Sequence, residues 1–125
     1  MEVPNWMKAA EIIAAHYYRA LDNNRKKFFS FFSDSSSLNW NGNCFEGNDI
    51  EKFYGRIPKT NTKIYSYSAL PINSSITDNE KTVIIKVVGH VKYQDRQRKV
   101  FDEVLIVEFT NENSIRILSS NFHFI

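Results

Sequence analysis

The chain has 125 residues, with sixteen Lys and Arg against fourteen Asp and Glu, and a single cysteine, Cys44. That length supports one domain with one core, taken as residues 1–125, and no apolar run is long enough to span a membrane. A net charge of +2 and a pI near 8.7 fall short of the footprint of a dedicated nucleic-acid binder, and one cysteine excludes an intramolecular disulfide and suits a reducing compartment.

The start of the chain has no basic segment leading into an apolar one, so no signal peptide is expected. Asn5 or Pro4 can open a helix, and Trp6, Ala9, Ala10, Ile13, Tyr17, Ala20 and Leu21 recur at spacings of three and four, which predicts a helix from Asn5 to Leu21. Asp22 or Asn23 can cap a second, short helix from Arg25 to Phe32. Its four phenylalanines are too many for one stripe, so burial on most sides is expected. Leu38 to Gly47 reads as a small hairpin around Asn41-Gly42, a strong tight-turn dipeptide. Asn48 or Asp49 can cap a third helix, Asp49 to Arg56, ended by Ile57-Pro58. The remainder is strand: Lys63–Ile72, Thr82–Tyr93, Lys99–Thr110 and Ser114–Phe124, joined by polar turns at 73–79 and 111–113. The basic clusters Arg25-Lys26-Lys27 and Arg96-Gln97-Arg98-Lys99 read as solvated surface.

The long pair Thr82–Tyr93 and Lys99–Phe109 organises the chain. Each arm spans about 35 Å at strand rise, long enough that bending around a core is expected. Ile85, Val87, Gly89 and Val91 alternate with Lys86, Val88, His90 and Lys92, and Phe101, Glu103, Leu105, Val107 and Phe109 alternate with Asp102, Val104, Ile106 and Glu108. Neither set is wholly polar. One covers the core; the other carries aliphatic residues among charges, as a partner-facing surface does or as burial on both faces would produce. The fold class is α+β, with helices packed on one face of a strongly bent antiparallel sheet of four long strands, and Tyr17, Phe101, Leu105, Phe122 and Phe124 buried.

The stretches His16-Tyr17-Tyr18, Leu21-Asp22-Asn23-Asn24-Arg25, Leu38-Asn39-Trp40-Asn41-Gly42-Asn43, Glu46-Gly47, Val87-Val88-Gly89-His90-Val91-Lys92 and Asn121-Phe122-His123-Phe124 fall in a set order of elements. With that order, they resemble the nuclear-transport-factor-two-like family over nearly the whole chain. The resemblance implies a cone-shaped domain. It also implies one of two transport roles: the small export subunit that pairs with a large mRNA export receptor carrying its own domain of this fold, or the homodimeric import carrier of the GDP form of Ran. Trp40-Asn41-Gly42-Asn43 and the Gln-Arg turn before Phe101 look like the export subunit. Trp6, ten residues before His16, looks like the import carrier, where the matching tryptophan contacts nucleoporin repeats. The carrier's acidic groups correspond here to the basic turn Gln94–Lys99, which opposes a basic partner and favours the export reading. Both groups commonly place Asp and Gln just before the proline that is Pro71 here. This chain has Ser68-Ala69-Leu70, so one interfacial ion pair of the family cannot form.

The implied interface is the outer sheet face, with Lys86, Val88, Val104, Ile106 and Asn121 at its centre, Ser68 beside them and His90, Asp102 and Glu108 nearer the rim. The implied location is nucleus and cytoplasm, shuttling through the pore, with nucleoporin contact through the heterodimer and weakly through Trp6. No sequence-specific nucleic-acid binding and no membrane partner are expected. Small isomerases, dehydratases and epoxide hydrolases share the fold and work inside the cone. Tyr17, Glu103, Tyr65 and His16 are the candidates for such chemistry, but no Asp–His pair or paired carboxylates accompany them. His90 and His123 lack a third ligand at metal spacing. A non-enzymatic protein without cofactor or metal is therefore expected.

Overall fold

The computed structural model describes residues 5–72, 82–94, 96–111 and 114–125. Pro4, Asp95, the turn expected at 73–79 and residues 112–113 of the last turn lie outside them.

The first helix runs to Asn23 in three pieces: α1 (Asn5–Ile12), a π-helical turn (Ile13–Tyr17) and α2 (Tyr18–Asn23). A π turn closes over five residues instead of four. Ile13 is four residues from Tyr17 and five from Tyr18, and all three are buried. Mixing the two repeats aims two consecutive tyrosines at one core. The capping residue of α3 (Arg25–Phe29) is Asn24, not Asp22 or Asn23: its side chain accepts from the Lys27 amide at 3.2 Å. Asp22 is committed elsewhere, to the hydroxyls of Thr60 and Thr62 and the Thr62 amide. The helix also stops at Phe29, short of Phe32; Phe28 and Phe31 are buried and Phe29 and Phe32 half-buried. Arg25 ties two helix ends together. Its guanidinium donates to the carbonyls of Leu21, Tyr54, Ile57 and Pro58.

The strands β1 (Ser37–Trp40) and β2 (Asn43–Glu46) form the expected hairpin, with positive φ at both Asn41 and Gly42. Asn41 also accepts the Phe124 amide through Oδ1 at 2.8 Å, fixing the turn to the end of the chain. Gly47, rather than Asn48 or Asp49, occupies the N-cap of α4 (Asn48–Gly55), with φ of 53°. A Cβ there would lie 2.9 Å from the Asp34 carbonyl oxygen, so the close approach selects glycine.

The long strands are β3 (Thr60–Pro71), which begins before the expected Lys63, β4 (Thr82–Tyr93), β5 (Lys99–Asn111) and β6 (Ser114–Phe124). The sheet has six strands in the order β2-β1-β6-β5-β4-β3, not four. The extra pair joins through β1, which runs parallel to β6 from Ser37↔Ser119 to Trp40↔Phe122, so the sheet is mixed and not closed. Breaks in register at Ile64/Ser66 and Ile106/Val107 bend the long strands over the helices. Gly89 sits opposite the first break, where a Cβ would fall 2.3 Å from the Lys63 carbonyl oxygen.

The inward set is as expected. Ile85, Val87, Val91, Phe101, Leu105 and Val107 are buried against Ala9, Ile13, Tyr17 and Phe28. Phe122 is buried, but Phe124 is only half-buried. It closes the last strand where the core runs out, and its ring lies under Lys99 Nζ at 5.2 Å.

Candidate functional site

Strand alternation places residues of one parity on the outer face, and the registers align them across the sheet. Ser68, Lys86, Val104 and Asn121 stand opposite one another in a single row, continued by Asn39 and Cys44. The next row holds Leu70, Ile84, Ile106 and Ser119; the row on the other side holds Ser66, Val88, Asp102 and His123. The five residues expected at the centre are therefore neighbours. Val88, Val104 and Ile106 remain half-buried and Lys86 and Asn121 exposed. Asp102 sits as close to Val104 as Ile106 does, which puts it nearer the middle than expected. Glu108 lies further out and pairs with Arg116 at 2.7 Å.

Apolar members of this face that were not picked out from the sequence include Leu70, Ile84 and Val100, the last opposite His90 and 38% exposed. Leu70 is 69% exposed and Ile84 36% exposed. The parity of Lys86 and Ser68 pointed to both. His90 shares a hydrogen bond of 2.6 Å between its Nδ1 and the Tyr65 hydroxyl. Its pKa is held below the ordinary histidine value, by desolvation first and then by the charges of Arg98 and Lys63. Trp6 is half-buried against the core. With Met7, Ala10, Glu11 and Tyr67 it lines an open groove of about 310 Å³ between α1 and β3.

The interior of the cone is different in character. The Glu103 carboxylate is fully buried. Tyr18 donates to Oε1 at 2.7 Å, while Ser120 at 2.5 Å and Tyr17 at 3.4 Å donate to Oε2. Burial pushes its pKa up to about 7, partly offset by the hydrogen bonds from Ser120, Tyr18 and Tyr17. The cavity beside it, walled by Trp40, Tyr54, Tyr93 and Phe101, has a volume of about 10 Å³. That is room for about one water, against the hundreds of Å³ of a small-molecule site. Of the four candidates for chemistry only Tyr17 and Glu103 meet; His16 and Tyr65 are exposed on the surface. Among the described residues no group of three His, Cys, Asp or Glu is placed to hold a metal ion.

A half-exposed sheet face above a helix-filled cone is one arrangement among several α+β folds. The decisive observation is that the nuclear transport factor 2 (NTF2) domain family matches residues 9–123. The chain belongs to the NTF2 domain family. It is similar to NTF2-related export protein 2 of Homo sapiens, at 26% identity over 94% of this chain and 85% of that protein. Among solved structures it resembles nuclear transport factor 2 from Cryptosporidium parvum, with a TM-score of 0.82 at 20% identity over 98% of this chain and 96% of that one. It also resembles a chain of the C. albicans Mtr2–Mex67 M domain complex, with a TM-score of 0.74 at 15% identity over 97% and 96% of the two chains. These likenesses establish the NTF2-like fold.

Proposed function

We propose that this chain is a small, non-catalytic export subunit. It pairs through its outer sheet face with the NTF2-like domain of a large mRNA export receptor and supports passage of mRNA through the nuclear pore, moving between nucleus and cytoplasm. The observation that carries this reading is the outer face itself. Val88, Val104, Ile106, Ile84 and Leu70 surround Lys86, with Asn121 beside Val104 and His90, Asp102 and Glu108 further out, and this mixture of apolar and polar groups suits a protein interface. The similarity to a protein named for export, and to a subunit solved with Mex67, supports this choice of partner class. The non-catalytic reading is supported by Glu103, whose carboxylate is already occupied by three hydroxyls, with no substrate-sized space beside it. The chain works as one NTF2-like domain over residues 1–125. Nucleoporin contact comes through the heterodimer, with Trp6 a minor contributor because it packs on the core.

The alternative within the family is a Ran-GDP carrier. The exposed cations Arg96, Arg98 and Lys99 disfavour it, because they present like charge to a basic partner at the cone mouth. The test is Val104→Glu, which strands a charge in the desolvated centre. Losing one interface anchor typically costs about 1–4 kcal/mol, or roughly 5- to 1000-fold in affinity, and a buried unpaired charge costs more. The variant keeps its circular dichroism spectrum and loses capture of the export receptor's NTF2-like domain. A folded Val104→Glu protein that binds at wild-type affinity overturns the interface.

A further inference from the structure

The two basic clusters that look like separate solvated patches in the sequence are brought to one end of the molecule. Arg25 reaches the Pro58 carbonyl, the neighbouring Lys59 carbonyl accepts the Gln94 amide, and Gln94 opens the turn that carries Arg96 and Arg98. Lys92 is opposite Asn61, Lys99 opposite Val91 and Lys63 opposite His90, all at this end of the sheet. Lys26 and Lys27 extend it along α3, and Arg56 follows α4.

Ten of the chain's sixteen Lys and Arg thus collect here, with Asp22 among them. Asp22 is engaged by Thr60 and Thr62. All ten cations are exposed except Arg25. Neither salt bridge found among the described residues involves them. The net charge of the chain is only +2, so this gathering of cations is an uneven distribution of charge rather than a general excess.

We infer that this end is a binding surface for the phosphodiester backbone of single-stranded RNA, read without base sequence. The identity of the polyanion rests on the export reading; the surface itself does not. Geometry favours a flexible strand over a flat membrane. Lys63 and Lys92 lie on the outer face with His90, whereas Lys99 is on the inner side over Phe124, so no single plane meets them. A strand can follow cations around a convex end. Tyr65, 52% exposed beside His90, offers a ring on which a base can stack.

The experiment uses the full chain and a labelled uridine oligomer of ~20 nucleotides, with anisotropy read between ~50 and ~200 mM salt. Wild type binds, and its affinity falls linearly in log–log with salt. Arg96→Gln combined with Arg98→Gln weakens binding and makes that slope shallower by about 1.4, the expectation when two phosphates are no longer neutralised. Lys8→Gln, in α1 and not among the ten cations, changes neither. Capture of the export receptor domain by the double variant stays at the wild-type level, so failure of RNA binding and failure of the export reading are separate results. Absence of RNA binding at ~50 mM salt, or an unchanged slope in the double variant, overturns the inference. So does displacement of the RNA by polyglutamate at a lower concentration than by unlabelled RNA, which would assign the surface to an acidic peptide.

Discussion

The Tyr18 hydroxyl donates to Glu103 Oε1 at 2.7 Å across the core, linking the helix just after its π turn to the middle of the longest strand. Both groups are buried, and each reduces the other's cost of burial. Tyr17 and Ser120 complete the shell on Oε2. The arrangement makes a polar pin inside an aromatic core, and its strength depends on the protonation of one carboxyl.

Glu103 titrates near pH 7 in the fold, above its ordinary value of 4.5, because burial disfavours its charge. The folded state therefore holds the proton more tightly than the unfolded chain. Its contribution is fully present below about pH 4.5 and is lost as pH rises through 7, an effect on the order of 3 kcal/mol. Thermal denaturation of wild type should show stability falling between pH 5 and 8, and Glu103→Gln should flatten that part of the profile. The variant should also bind its partner normally. Loss of cellular function with stability and partner binding intact would instead restore a catalytic role to this carboxyl.

Tyr18→Phe and Tyr17→Phe remove different bonds from the same carboxylate. The Tyr18 bond is short and the Tyr17 bond, at 3.4 Å, is near the limit. Tyr18→Phe should cost about 1.5–3 kcal/mol in chemical denaturation at pH 8, where Glu103 is charged, and Tyr17→Phe distinctly less. Equal losses would mean the two hydroxyls share the charge evenly.

Gly89→Ala should destabilise the sheet although its backbone angle is ordinary. The new methyl would meet the Lys63 carbonyl oxygen at 2.3 Å, a backbone atom that cannot swing aside. Overpacking of this kind typically costs about 1–3 kcal/mol, read as a lower denaturation midpoint with an unchanged slope. A neutral outcome would show that the bulge at Ile64/Ser66 yields freely.

The period-two alternation of Thr82–Phe109 decided by itself which residues enter the core and which stay on the outer face, because a pleated strand turns every second side chain the same way. Asn41-Gly42 likewise carried its hairpin turn, since both positions need positive φ. Element ends were less legible. Asn24, rather than Asp22 or Asn23, became the cap because Asp22 is drawn to Thr60 and Thr62, nearly forty residues away in sequence. The parallel docking of β1 on β6 left no local sign, because its register is set by contacts between distant segments, and it alone raised the sheet from four strands to six. Ile84 and Leu70 were legible by parity. The surroundings of Glu103 and the convergence of ten cations were not. Sequence determined the local geometry of each strand and turn, where neighbours in the chain are neighbours in space. Only the tertiary structure decided what meets across the core and at the basic end, where burial and charge are summed over residues the chain keeps far apart.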